Sequence, residues 1–156
     1  MKITLAQLNP VVGDVRGNLQ KIAATLTAES QTSDLVVFSE LFLVGYPPRD
    51  LLEKPGLIRQ VQEALEHLME LSARYPATGI LVGAPQPTGR DIGKGLCNCA
   101  VLIYQGQVRL RQAKSLLPAY DVFDETRHFD PAGEIVVLPF KGEVLGVSIC
   151  EDAWYN

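Results

Sequence analysis

The stretch Asp34-Leu-Val-Val-Phe-Ser-Glu40 decides the fold. Its four consecutive apolar residues, mostly β-branched or aromatic, make a run too short for a helix and suited to a buried strand. Working outward, residues 3–8 form another short strand candidate. Between the two, Asn18 is placed to cap a helix whose apolar positions Leu19, Ile22, Ala23 and Leu26 keep helical spacing. Downstream, the turn-rich Val44-Gly-Tyr-Pro-Pro-Arg-Asp50 leads into a longer helix. Its positions Leu57, Val61, Leu65, Leu68 and Leu71 line one face and stop before Pro76. Residues 79–84 read as a compact apolar strand, and residues 99–104 and 108–113 as a hairpin around Gln105-Gly106. Short strands are expected at 135–138 and 144–149. Two helices and about seven strands predict an α/β layered domain.

Bulk properties narrow the function. At 156 residues, 47% hydrophobic and 21% charged, the chain can bury one sizeable core. A net charge of -4 with no basic stripe argues against a nucleic-acid partner and favours a small molecule. Asn9-Pro10 and Gly13-Asp14 interrupt the N-terminal apolar run before it reaches signal-peptide or membrane-spanning length, so the expectation is a soluble, cytoplasmic protein. Cys97, Cys99 and Cys150 are odd in number and lack CxxC spacing. That pattern argues against a disulfide framework and a zinc site, and for free thiols in a reducing compartment.

Three reactive side chains close strand-like runs: Glu40, Lys114 after Gln107-Val-Arg-Leu-Arg-Gln-Ala, and Cys150 after Val144-Leu-Gly-Val-Ser-Ile. Each has an ordinary role open to it: an acid before a turn, a solvated lysine, a small buried hydrophobe. Brought together, a carboxylate, an ammonium and a thiol suit amide cleavage. A free thiol with a pKa near 8.5 is only a few per cent thiolate at neutral pH, so a neighbour must raise that fraction or take the proton during attack.

The text around these residues is Phe38-Ser-Glu-Leu-Phe-Leu-Val-Gly-Tyr-Pro-Pro-Arg-Asp-Leu-Leu52, Lys114-Ser-Leu-Leu-Pro-Ala-Tyr-Asp-Val-Phe-Asp-Glu-Thr-Arg-His-Phe129 and Ile149-Cys-Glu-Asp-Ala-Trp154. It resembles the nitrilase superfamily, with its Glu, Lys, Cys order. More narrowly, it is similar to the glutaminase domain of glutamine-dependent NAD synthetases, as is the opening Gln7-Leu-Asn-Pro-Val-Val-Gly-Asp-Val-Arg-Gly-Asn18.

The resemblance implies a nitrilase-like α-β-β-α sandwich, and for residues 1–156 its N-terminal part only. That fold continues well past its nucleophile, whereas Asn156 lies six positions after Cys150. It also implies Glu40 as general base, Cys150 as nucleophile and Lys114 as oxyanion stabiliser, with Glu125 holding the lysine. Tyr46, Tyr120 and Trp154 would line the substrate pocket, while His67 and His128 are ordinary surface histidines. No metal or cofactor is expected here. ATP and Mg2+ belong to a synthetase domain, and no phosphate-binding loop is present in this sequence. Glutamine and that synthetase domain are the implied partners. Unpaired strand edges would favour self-association. A stand-alone amidase for another small amide and an inactive fragment are the alternatives.

Overall fold

The computed structural model describes residues 1–154. Its centre is a five-stranded sheet of β1 (Ile3–Ala6), β2 (Leu35–Phe38), β3 (Gly79–Pro87), β4 (Leu96–Tyr104) and β5 (Gln107–Ala113), side by side in that order. β1, β2 and β3 are parallel, so each connection must cross over the sheet. The helices α1 (Val15–Glu29) and α2 (Pro55–Arg74) make those crossings. β3, β4 and β5 continue as antiparallel neighbours, with β4 and β5 turning at Gln105-Gly106.

Period-two alternation divides the sheet into two faces. Val36, Ile80, Val82 and Val101 pack with Ile22 and Leu26 of α1 and Val61 and Leu68 of α2. Leu35, Leu81, Leu102 and Leu110 point the other way, where they meet Phe140 and Ile149. Phe140 belongs to a second, two-stranded sheet of β6 (Val137–Phe140) and β7 (Glu143–Gly146). The layers are therefore helix, sheet, sheet: the α-β-β portion of the expected sandwich. Fully buried side chains such as Leu68 hold these layers together, and truncating one to alanine costs about 2–5 kcal/mol. Among the described residues, no helix is long and apolar enough to cross a membrane.

The structure corrects three local readings. Asp14 is the N-cap of α1, accepting a hydrogen bond from the Gly17 amide. Asn18 lies one turn inside, fully buried, and bonds both backbone groups of Val11 and the Leu43 carbonyl. β7 stops at Gly146, so residues 147–149 reach Cys150 outside the ladder. His128 is no surface histidine: its side chain is only 10% exposed beside Asp50 and Glu53.

The strand directions position the site. β2, β3 and β5 run the same way, so their C-terminal ends share one edge of the sheet with the start of antiparallel β4. Glu40 follows β2, Lys114 follows β5 and Asn98 opens β4, all at that edge.

Candidate active site

Glu40 is placed by a crowded backbone crossing. The chain at Ser39–Leu41 passes directly over Gly83 of β3, where a Cβ would collide with the Leu41 amide and the Ser39 carbonyl. Only glycine allows that approach. The Leu43 amide then donates to the Gly83 carbonyl at 3.2 Å. Leu41, Phe42, Leu43 and Val44 are fully buried, so this loop is core and Glu40 rides on a rigid support.

Lys114 is also fully buried. Its ammonium donates to Glu40 Oε1 at 2.8 Å and to Glu125 Oε1 and Oε2 at 2.9 and 3.0 Å. Glu125 sits on a one-turn helix, Glu125–Arg127, and is 5% exposed. It also accepts the Tyr46 hydroxyl at 2.9 Å. A buried cation between two carboxylates persists only because the pairing offsets its desolvation. Burial pulls the Lys114 pKa down, but the hydrogen bonds and charges of Glu40 and Glu125 outweigh it, and the net displacement is upward. Burial and the Glu125 charge likewise push the Tyr46 phenol far above its ordinary range, so Tyr46 stays a donor.

Cys150 opens another short helix, Cys150–Ala153, with φ of 46°. A non-glycine residue in this left-handed region carries strain of about 1–3 kcal/mol, a device found at sites where a side chain must be aimed. Asp152 holds the turn in place. Its Oδ1 accepts the Ser115 and Leu116 amides at 2.9 and 2.8 Å, and its Oδ2 accepts the Ile149 amide at 3.2 Å. One carboxylate thus ties the cysteine segment to the segment after Lys114. Glu40 and Cys150 line a common cavity of about 130 Å3. Burial first, then the Glu40 charge, raise the Cys150 thiol above its ordinary pKa, with Lys114 opposing. At neutral pH the thiol therefore keeps its proton, which places the demand on a base rather than on a preformed thiolate.

The structure thus brings Glu40, Lys114, Glu125 and Cys150 to one place, with Tyr46 bonded to that cluster. Tyr120 is 53% exposed, with its hydroxyl on the carboxylate of Glu151 at 2.9 Å and its ring edge-on to Phe123, which packs against Tyr46. Trp154 is 75% exposed, open to solvent. Cys97 and Cys99 lie on the opposite face of β4 from Asn98, with their sulfurs 3.2 Å apart. Asn98 and Asp152 escaped the sequence reading. The available signals were slight: Asn98 is the amide within the apolar run Leu96-Cys-Asn-Cys-Ala-Val-Leu-Ile103, and Asp152 is the second acid after Cys150. Asp50, Glu53 and His128 bring ligand atoms within 4.8 Å of one another, but Arg127 already pairs with both acids, which are exposed.

An α-β-β layered fold with a carboxylate, an ammonium and a thiol gathered at one sheet edge defines a class of amide-processing proteins. Residues 2–156 match the carbon-nitrogen hydrolase family, and the chain belongs to it. It is 45% identical to a glutamine-dependent NAD(+) synthetase of Synechocystis, over 97% of this chain and 28% of that protein. Among solved structures, it is similar to the glutamine-dependent NAD+ synthetase of Acinetobacter baumannii in complex with ADP. The TM-score is 0.86 at 34% identity, over 98% of this chain and 28% of that one. It is also similar to a variant amidase from Nesterenkonia sp. AN1 whose active site cysteine carries the acetamide moiety of fluoroacetamide. There the TM-score is 0.80 at 26% identity, over 97% of this chain and 56% of that one. The chain therefore spans about 28% of the length of the synthetases it resembles.

Proposed function

We propose that this chain carries the glutaminase chemistry of a glutamine-dependent NAD+ synthetase. The observation that carries the reading is the buried Glu40–Lys114–Glu125 cluster beside the Cys150 thiol, in a chain similar to such synthetases along its length. Glu40 takes the Cys150 proton as sulfur attacks the side-chain amide carbon of glutamine. The tetrahedral intermediate places its negative oxygen toward the Lys114 ammonium and the backbone N–H after Cys150. Glu40 returns the proton to nitrogen, the C–N bond breaks, ammonia departs and a glutamyl thioester remains. Water activated by Glu40 then releases glutamate and restores the thiol. Glu125 keeps Lys114 oriented and charged. The ammonia serves amidation of a deamido-dinucleotide in a synthetase domain, where ATP and Mg2+ act.

The test is glutamate release from glutamine, by this chain and by a version extended through a complete sandwich, with Cys150→Ala of each as control. Release that falls by about 10⁴-fold or more in Cys150→Ala supports the reading. Turnover of other small amides but not glutamine would replace it with a general amidase. No turnover of any amide by either version would overturn the chemistry.

A further inference from the structure

Asn98 belongs to no motif of the sequence and no step above, yet it sits at the centre of the ionic cluster. It is 1% exposed. Its Nδ2 donates to Glu40 Oε1 at 2.6 Å and lies 3.4 Å from Glu125 Oε2. Its carbonyl oxygen accepts the Lys114 amide at 2.8 Å, which locks β4 to the residue that carries the ammonium. Its side-chain Oδ1 is buried and has no partner among the described residues.

An asparagine retained for stability alone would not leave that oxygen unpaired, because an orphaned buried acceptor is costly. The amide cannot turn round to find a partner, since Oδ1 would then face two carboxylates. The orientation is imposed by Glu40 and Glu125, and the residue is spent on holding them.

We propose that Asn98 is a positioning residue that selects which oxygen of Glu40 acts as the base. Glu40 Oε1 is occupied by two donors, the Lys114 ammonium at 2.8 Å and the Asn98 amide at 2.6 Å. Oε2 is the oxygen left to serve the Cys150 thiol. The Asn98 donor also fixes the carboxylate plane, which Lys114 alone could not do with its single contact to Glu40.

The assignment of Glu40 as base rests on the glutaminase reading, so the test uses a readout that needs no amide substrate. Cys150 alkylation by iodoacetamide near neutral pH is measured in this chain, in Asn98→Leu, which keeps volume without the donor, in Asn98→Ala, and in Asn98→Leu combined with Glu40→Gln. Both single variants should slow Cys150 by about tenfold, since both lose the same donor, and Asn98→Leu should add nothing in Glu40→Gln, where no carboxylate is left to position. Cys97 alkylation in the same samples is the internal control. An Asn98→Leu rate equal to that of the parent with only Asn98→Ala slowed, or the same slowing in the Glu40→Gln background, would overturn the proposal and leave Asn98 a packing residue. Urea midpoints for each variant separate that outcome from unfolding. If Cys150 slows as expected but no glutamate is released from glutamine, the positioning role stands and the substrate assignment falls. If glutamate is released and the Cys150 rate is unchanged, the substrate assignment stands and this proposal falls.

Discussion

Two ionic clusters meet at the one-turn helix Glu125–Arg127, and each takes one of its residues. Glu125 joins Lys114 and Glu40, where the side chains are 6%, 0% and 17% exposed and the contacts are 2.8 to 2.9 Å. Two positions on, Arg127 reaches Asp50 and Glu53 at 3.2 and 3.6 Å, where the side chains are 53%, 69% and 61% exposed. Both clusters set a cation between two acids. Burial is the main difference between them, and it decides what each can do. In solvent such pairs are screened and contribute little. Inside the fold, the same charges cannot be replaced by water, so removing one leaves its partners stranded.

Lys114→Met breaks that contrast most directly. It leaves Glu40 and Glu125 buried without their cation and should cost about 3–5 kcal/mol in urea unfolding, with loss of amide turnover. A cost under about 1 kcal/mol would mean that the buried cluster behaves like the exposed one. Raising the pH sharpens the comparison without mutation. Lys114 has a folded pKa above its ordinary value, so it stabilises the fold fully below the free lysine value near 10.4, and that contribution is lost as pH rises through the higher folded value. The urea midpoint should therefore decline above about pH 10.4, and decline less steeply in Lys114→Met. The smallest effect belongs to Arg127→Ala, which should change stability by less than about 1 kcal/mol and leave Cys150 alkylation unaltered.

The contrast also explains what the sequence could and could not disclose. Buried strand runs and helical spacing are local, and β2, α2 and the β4–β5 hairpin follow directly from them. The strand ends place Glu40 and Lys114 just beyond β2 and β5 for the same reason. Burial of a polar side chain is a tertiary property. Asn98 acquires its meaning from Glu40, 58 positions away, and Glu125 was legible only through the family resemblance. Asn18 looks like a cap in text because caps and loop-pinning amides use the same residue, and only the fold brings Val11 and Leu43 to it. His128 reads as a surface residue until the loop at Asp50–Glu53 folds beside it.

In the proposed mechanism Cys150 reacts because Glu40 takes its proton, and the three thiols of this chain allow a direct test. Cys97 ionises more readily than an ordinary thiol, chiefly through its contact with Cys99, whereas Cys150 is pushed the other way by burial and by Glu40. Thiolate fraction alone would therefore rank Cys97 ahead of Cys150. The measurement is site-resolved iodoacetamide alkylation of Cys97, Cys99 and Cys150 near neutral pH, in this chain and in Glu40→Gln. Cys150 should react fastest and lose that lead in Glu40→Gln. A faster Cys97, or a Cys150 rate indifferent to Glu40, would contradict it.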